Sequence, residues 1–404
     1  MTSPPSTEPA IDEAGRAILA GISSRAFEHP ADRAALTAMR AVPGFDQVIK
    51  LASGFLRERQ YRLAYLASAV RVDERQFADL HALLGEAVAV LDTERPELFV
   101  VNNPVPNAAT LGVDRPFIVL TSGMYELTND DERRFVLAHE VGHAMSGHAL
   151  YTSLLMHLLN LAGNFGWVPA GGLGLRALIA ALREWQRKAE LSGDRAGLLA
   201  TQDVDAALRV HMKLAGGAHL DRIDLDAFLQ QAADYEGTGD LRDGLLKLLN
   251  TERSSHPFAV VRAAELRRWA DSAEYREILE GRYPRREDDR TASFSETARE
   301  AARSYRQRIE ESSDPLVSAV RGFGSTVGEA ADNFFDWLTR RARAADPRNT
   351  QGDAEPTDQP EGAAEDSAGE APSEPHPDTD RPDENRPSEN RPADGSKDPS
   401  DPGI

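Results

Sequence analysis

Residues 129–150 read NDDERRFVLAHEVGHAMSGHAL, and the two histidines four apart within it constrain the chain more than any other feature. Positions i and i+4 of an α-helix lie on one face, one turn apart. His139 and His143 can therefore grip one cation if this stretch is helical, with Glu140 beside that face. The stretch carries its own start signal. Asn129 is a good N-cap, Glu132 stands three residues later as in a capping box, and Asp130 and Asp131 complement the helix dipole in the first turn. Gly147 marks the expected end. The competing reading, two histidines facing an ordinary helical core, requires nothing further from the chain; a metal site requires a third ligand.

The surroundings alternate in texture. Residues 10–94 read as mainly helical, with Phe45, Val48, Ile49, Ala52, Phe55 and Leu56 at three-to-four spacing, then Phe77, Leu80, Leu83, Leu84 and Val88. Between these, LASAVRV suits a short strand. Glu97–Asn103, Asn107–Gly112 and Pro116–Gly123 are β-rich and bounded by Pro, Asn, Asp and Gly, which predicts a small sheet. A long helix is expected over Leu175–Ala200. Helices continue through DVDAALRVHMKLAGG, DLDAFLQQAADYE and VVRAAELRRWADSAEYREIL, and two more over 293–344. The fold class is mainly α (α+β), helices around a small sheet.

Composition limits the partners. From Ala345 to Ile404 there are 17 Asp/Glu against 5 Lys/Arg, and 11 of the chain's 24 prolines. Such a segment buries too little apolar surface to offset its chain entropy, so an acidic, disordered tail is expected over 345–404. The rest is mildly acidic, which argues against nucleic acid as a partner. With no cysteine, any metal must take His and carboxylate ligands. The N-terminus has neither a basic nor an apolar signal region, so no signal peptide and a cytoplasmic location are expected. Tyr151–Leu175 carries no formal charge, but Asn160, Asn164, Pro169 and several glycines interrupt it. A buried or membrane-touching helical hairpin fits it better than a clean span, which leaves 151–182 as a candidate peripheral membrane contact.

A catalytic zinc takes three protein ligands and keeps a position open. The third ligand of the H-x-x-G-x-x-H type is absent, since Ser146 and Ala149 stand where the glycine and histidine would be. His148 lies about 140° around a continuous helix from His143, so it reads as a supporting or surface group rather than a ligand. KAELSGDRAG offers instead Glu190, with Asp194 on the same face one turn later. Gly193, Ala196 and Gly197 would let that helix approach the histidine helix closely. In this arrangement Glu190 is the third ligand and Asp194 orients His139 or His143 through a ring N–H. A solvated acidic stripe is the competing reading.

The order of PNAATLG, VLTSGMYE, HEVGHAMSGH, KAELSGDRAG and SSHPFAVVRAAEL resembles the HtpX and CAAX-prenyl-protease type of zinc metallopeptidase, over roughly residues 40–285. The resemblance implies a zincin-like helical peptidase domain with one zinc ion at His139, His143 and Glu190, and Glu140 as general base. It further implies that His256 and Arg262 stabilise the transition state. It also implies that the NAATLG strand, with Asn107 and Ala108, binds an extended substrate by strand addition. Flanking this domain would be a partly helical segment over 1–39, a helical extension over 286–344 and the acidic tail. Relatives of this type often carry unmistakable transmembrane helices, which this chain lacks before the HExxH motif.

The expected function is a zinc metalloendopeptidase acting on proteins or peptides, in which Glu140 assists attack by a zinc-activated water, with a role in protein quality control. The alternative from another class is a non-catalytic, metal-stabilised interaction protein that uses the C-terminal helices and tail. Oligomeric state is not legible in the sequence.

Overall fold

The computed structural model describes residues 9–40, 58–164, 172–237 and 258–290. The helices expected over 293–344, the acidic tail, His256 and the whole of the 45–56 apolar run lie outside the described residues. Eleven α-helices are described: α1 (Pro30–Arg40), α2 (Glu58–Ser68), α3 (Ala78–Val90), α4 (Ser122–Leu127), α5 (Asp130–Met145), α6 (His148–Asn164), α7 (Gly172–Thr201), α8 (Val204–Gly216), α9 (Leu225–Gly237), α10 (Ala259–Ala270) and α11 (Ala273–Leu279). Four strands accompany them: β1 (Val70–Arg71), β2 (Glu97–Val101), β3 (Ala108–Leu111) and β4 (Phe117–Thr121). The architecture is mainly α, as expected. One expected helical run divides: Ser272 caps a new helix by accepting from the Tyr275 N–H, so α10 and α11 are separate.

The sheet has the order β1-β2-β4-β3, with β2 and β4 parallel and both outer pairs antiparallel. Side chains alternate across its faces as strand geometry requires. Leu98, Val100, Ile118 and Leu120 join Leu80, Leu84 and Phe135 in the main core. Phe99, Phe117 and Val119 face the other way and are covered by Tyr61 and Tyr65 of α2. The Phe99 and Phe117 rings meet edge to face, 5.8 Å between centroids. Each fully buried ring of this kind contributes on the order of 2–3 kcal/mol by leaving water.

At the centre is α5. Its capping box forms as the sequence predicts: the Asn129 side chain accepts from the Glu132 N–H and the Glu132 carboxylate accepts from the Asn129 N–H, both at 3.0 Å. The same buried carboxylate meets Arg209 at 3.3 Å and Lys213 at 2.6 Å, which ties the start of α5 to α8. A charge removed from water in this way is tolerated because its lone pairs are matched by cations and N–H donors.

The described part of the uncharged stretch after α5 packs one face of α6 into the fold. Tyr151, Leu154, Leu155 and Leu158 of α6 pack with Ile179, Leu182, Trp185 and Ala189 of α7 and with Ala35 and Met39 of α1. Among the described residues, no helix is long and apolar enough to cross a membrane. Helix α1, which precedes the peptidase span read from the sequence, thus packs directly on α6 and α7.

Candidate metal centre

Helices α5 and α7 lie against each other because small residues line their contact. A Cβ on Gly142 would stand 2.3 Å from the Ala196 methyl, and one on Gly193 would stand 2.6–2.8 Å from three atoms of the His139 ring. This close approach carries Glu190 across to the histidines. The three residues are buried, and one ligand atom from each lies within 4.8 Å of the others.

The separations fit one small cation. His139 Nε2 and His143 Nε2 are 3.0 Å apart. Glu190 Oε2 is 3.6 Å from the first and Glu190 Oε1 is 3.8 Å from the second. Tetrahedral bonds of 2.0–2.1 Å place ligand atoms about 3.3 Å apart, close to the mean of these distances. Two imidazoles and a carboxylate are also the nitrogen and oxygen donors that zinc and its neighbours accept. Glu140 stands beside this set, with Oε1 4.0 Å from His139 Nε2.

Each of these side chains is held from behind. Asp194 Oδ1 lies 3.1 Å from His139 Nδ1, which fixes that ring's tautomer with Nε2 turned to the site. Arg262 of α10 meets Asp194 with Nε at 2.8 Å and Nη2 at 2.6 Å, and Glu190 Oε2 with Nη1 at 2.9 Å. The guanidinium expected to face a developing oxyanion therefore clamps the two carboxylates of α7, a bidentate geometry that suits arginine. The Thr110 hydroxyl of β3 lies 2.7 Å from Glu140 Oε2 and 2.8 Å from the Glu140 carbonyl oxygen. On the far side, His143 Nδ1 meets His148 Nδ1 at 2.8 Å.

The electrostatics follow from burial and neighbours. Burial pushes the Glu140 carboxyl up to about 7, only partly offset by His139 and by the Thr110 hydrogen bond. A group so placed can both take and return a proton near neutrality. Burial alone would raise Asp194, but Arg262 and His211 hold it well below the usual carboxylate range. Burial disfavours charge on His139, yet its bonds with Asp194 and Glu190 outweigh this and raise it to about 10. His143 stays well below its ordinary value through burial and its neighbour His139. A pocket field that draws a positive charge onto one ring favours a divalent cation at the same point.

Of the residues singled out from the sequence, the structure brings together His139, Glu140, His143, Glu190, Asp194 and Arg262. Asn107 lies just before and Ala108 at the start of β3, the outer strand on this side of the sheet; Asn107 bonds the Thr121 hydroxyl oxygen through its backbone N–H at 2.8 Å. His256 falls outside the described residues. Thr110 went unsingled in the sequence, although it stands within the NAATLG stretch; no spacing rule joins it to a glutamate on a helix thirty positions later.

A buried HExxH helix joined to a glutamate from a second helix defines the class: a metallopeptidase. Sequence comparison agrees. Residues 74–270 match the model of peptidase family M48. The chain is 38% identical to a plastoglobule-localized metallopeptidase 48 of Arabidopsis thaliana chloroplasts, over 63% of this chain and 74% of that protein. It is 34% identical to a protease HtpX homologue of Caldanaerobacter subterraneus, over 26% of this chain and 38% of the relative. It is 29% identical to the human mitochondrial metalloendopeptidase OMA1, over 28% of this chain and 24% of that protein. The chain thus spans about three quarters of the plant protein but well under half of the other two. No solved structure matches it. The chain belongs to peptidase family M48, in its HtpX-like group.

Proposed function

We propose that the chain is a zinc-dependent endopeptidase that hydrolyses peptide bonds in proteins or peptides, with one zinc held by His139, His143 and Glu190. Zinc bound there supplies a Lewis acid that polarises the scissile carbonyl and acidifies a water. Glu140 then takes the proton of the attacking water and delivers it to the leaving amine. Thr110 holds Glu140 by Oε2, which leaves Oε1 on the side of His139 for both transfers. Asp194 and Arg262 fix the imidazole and carboxylate that form the metal cradle. With Arg262 engaged in that clamp, His256 takes the oxyanion-stabilising role in this proposal.

The substrate would lie extended along β3. In antiparallel pairing, alternate residues turn their backbone groups toward the neighbouring strand. Asn107 O accepts from Thr121 N at 3.0 Å, so by this alternation the backbone of Ala108 and Thr110 faces away from β4. An added substrate strand would pair there, beside Glu140. A cytoplasmic site of action with peripheral membrane contact through 151–182 belongs to the same proposal, and co-sedimentation of the full chain with liposomes tests it.

The convergence of His139, His143 and Glu190 beside Glu140 carries this reading. Glu140→Gln should keep zinc and fold while abolishing cleavage of casein or a peptide library. A fully active Glu140→Gln enzyme would refute the assignment.

A further inference from the structure

Behind His143 runs a chain of buried polar groups that the peptidase chemistry does not use directly. His148 is almost fully buried, as is Asp32 of the N-terminal helix α1. His148 Nε2 lies 3.1 Å from Asp32 Oδ2, and His148 Nδ1 lies 2.8 Å from His143 Nδ1. Asp32 is itself held on both oxygens. Trp185 Nε1 donates to Oδ1 at 2.9 Å, and the Ser192 hydroxyl donates to Oδ2 at 2.6 Å. The Ser192 oxygen in turn accepts from the backbone N–H of His29 at 2.8 Å, just ahead of α1.

The direction of each bond follows from its carboxylate end. An ionised carboxylate only accepts, so His148 Nε2 must donate. With Nε2 donating to Asp32, His148 can offer Nδ1 as the acceptor for an Nδ1–H of His143. A neutral His143 with its proton on Nδ1 has a bare lone pair on Nε2, the atom that stands 3.0 Å from His139 Nε2 and 3.8 Å from Glu190 Oε1. Asp194 does the same for His139 in a single step. The second imidazole is served through an intervening histidine.

We propose that Asp32 and His148 are positioning residues for the metal centre: α1 reaches the site through an Asp32–His148–His143 relay that fixes the ligand tautomer and ring orientation of His143. This rests on the reading of His139, His143 and Glu190 as metal ligands. It makes α1, which precedes the matched family region, a working part of the metal site as well as a packing element. Outer groups that hold a ligand in place set metal affinity by roughly 10- to 100-fold.

The test uses the full chain and Zn2+ alone, with affinity measured by chelator competition and fold monitored by circular dichroism and thermal melting. Asp32→Asn preserves volume but removes the charge. His148→Phe preserves an aromatic ring against Trp185, whose ring it meets edge to face, but cuts the relay. Each should weaken Zn2+ binding by roughly tenfold or more. In the His148→Phe background, adding Asp32→Asn should cause no further loss, because the link is already broken. Nitrogen-15 spectra of the zinc-loaded wild type should show His143 protonated at Nδ1. Unchanged Zn2+ affinity in a folded Asp32→Asn protein overturns the relay while leaving the metal reading intact. So does an Asp32→Asn loss that persists in full beside His148→Phe, since it would show Asp32 acting only on the packing of α1. Absence of Zn2+ binding by the wild type overturns both readings.

Discussion

Thr110 donates one hydroxyl to two acceptors of Glu140, the carboxylate at 2.7 Å and the backbone carbonyl at 2.8 Å. An edge strand thereby fixes the rotamer of Glu140, the proposed general base, on the central helix. Thr110→Val keeps the β-branched shape but loses both bonds. A hydrogen bond to a charged group is worth about 1.5 kcal/mol or more, so kcat should fall about tenfold with zinc content unchanged. Steady-state kinetics beside elemental analysis separates this outcome from loss of metal.

Gly193 owes its identity to the histidine it faces. Any Cβ there falls 2.6 Å from His139 Cε1. Gly193→Ala should push the His139 ring or separate α5 from α7, at a cost of about 1–3 kcal/mol of stability. A lowered Tm together with weakened zinc binding is the expected pair of results.

Arg262→Lys places a point charge where a planar fork bridges Asp194 and Glu190. Lysine cannot span both carboxylates with the same geometry. Zinc affinity should drop about tenfold, in line with other groups that hold metal ligands in place. Chelator competition reads this directly.

Acid should destabilise the fold through His29. Its Nδ1 accepts from the Ala31 N–H at the start of α1 at 3.1 Å. Burial, with the charge of Arg195 nearby, pushes it down to about 4. A base whose folded value lies below its unfolded value near 6.5 binds more protons when unfolded, so stability is complete above about pH 6.5 and falls as pH drops toward 4. The loss is on the order of 2–3 kcal/mol. His29→Asn keeps a capping acceptor without a titrating ring, so denaturant melts between pH 7 and 4.5 should show a shallower decline than the wild type.

The HExxH helix and its partner were legible because local signals agreed with one another. Asn129 and Glu132 fixed where α5 starts, the i, i+4 spacing aligned the two rings, and Gly193 and Ala196 announced a close helix contact around Glu190. His148 shows where such reading ends. Its 140° offset from His143 assumes a continuous helix, but α5 stops at Met145 and His148 opens α6. The turn between them returns its ring to within 2.8 Å of His143 Nδ1. Arg262 shows a second limit. Sequence order identified a cation near a site but not which carboxylates it would meet, since that depends on how α10 packs on α7. Asp32 could not be linked at all, because its partners come from elements more than a hundred positions away.

The central claim is that His139, His143 and Glu190 close on one zinc ion, and elemental analysis of the purified full chain beside a Glu190→Ala variant tests it most directly. About one equivalent of zinc is expected in the wild type and a large loss in a variant that still melts cooperatively. Stoichiometric zinc in folded Glu190→Ala would contradict the assignment.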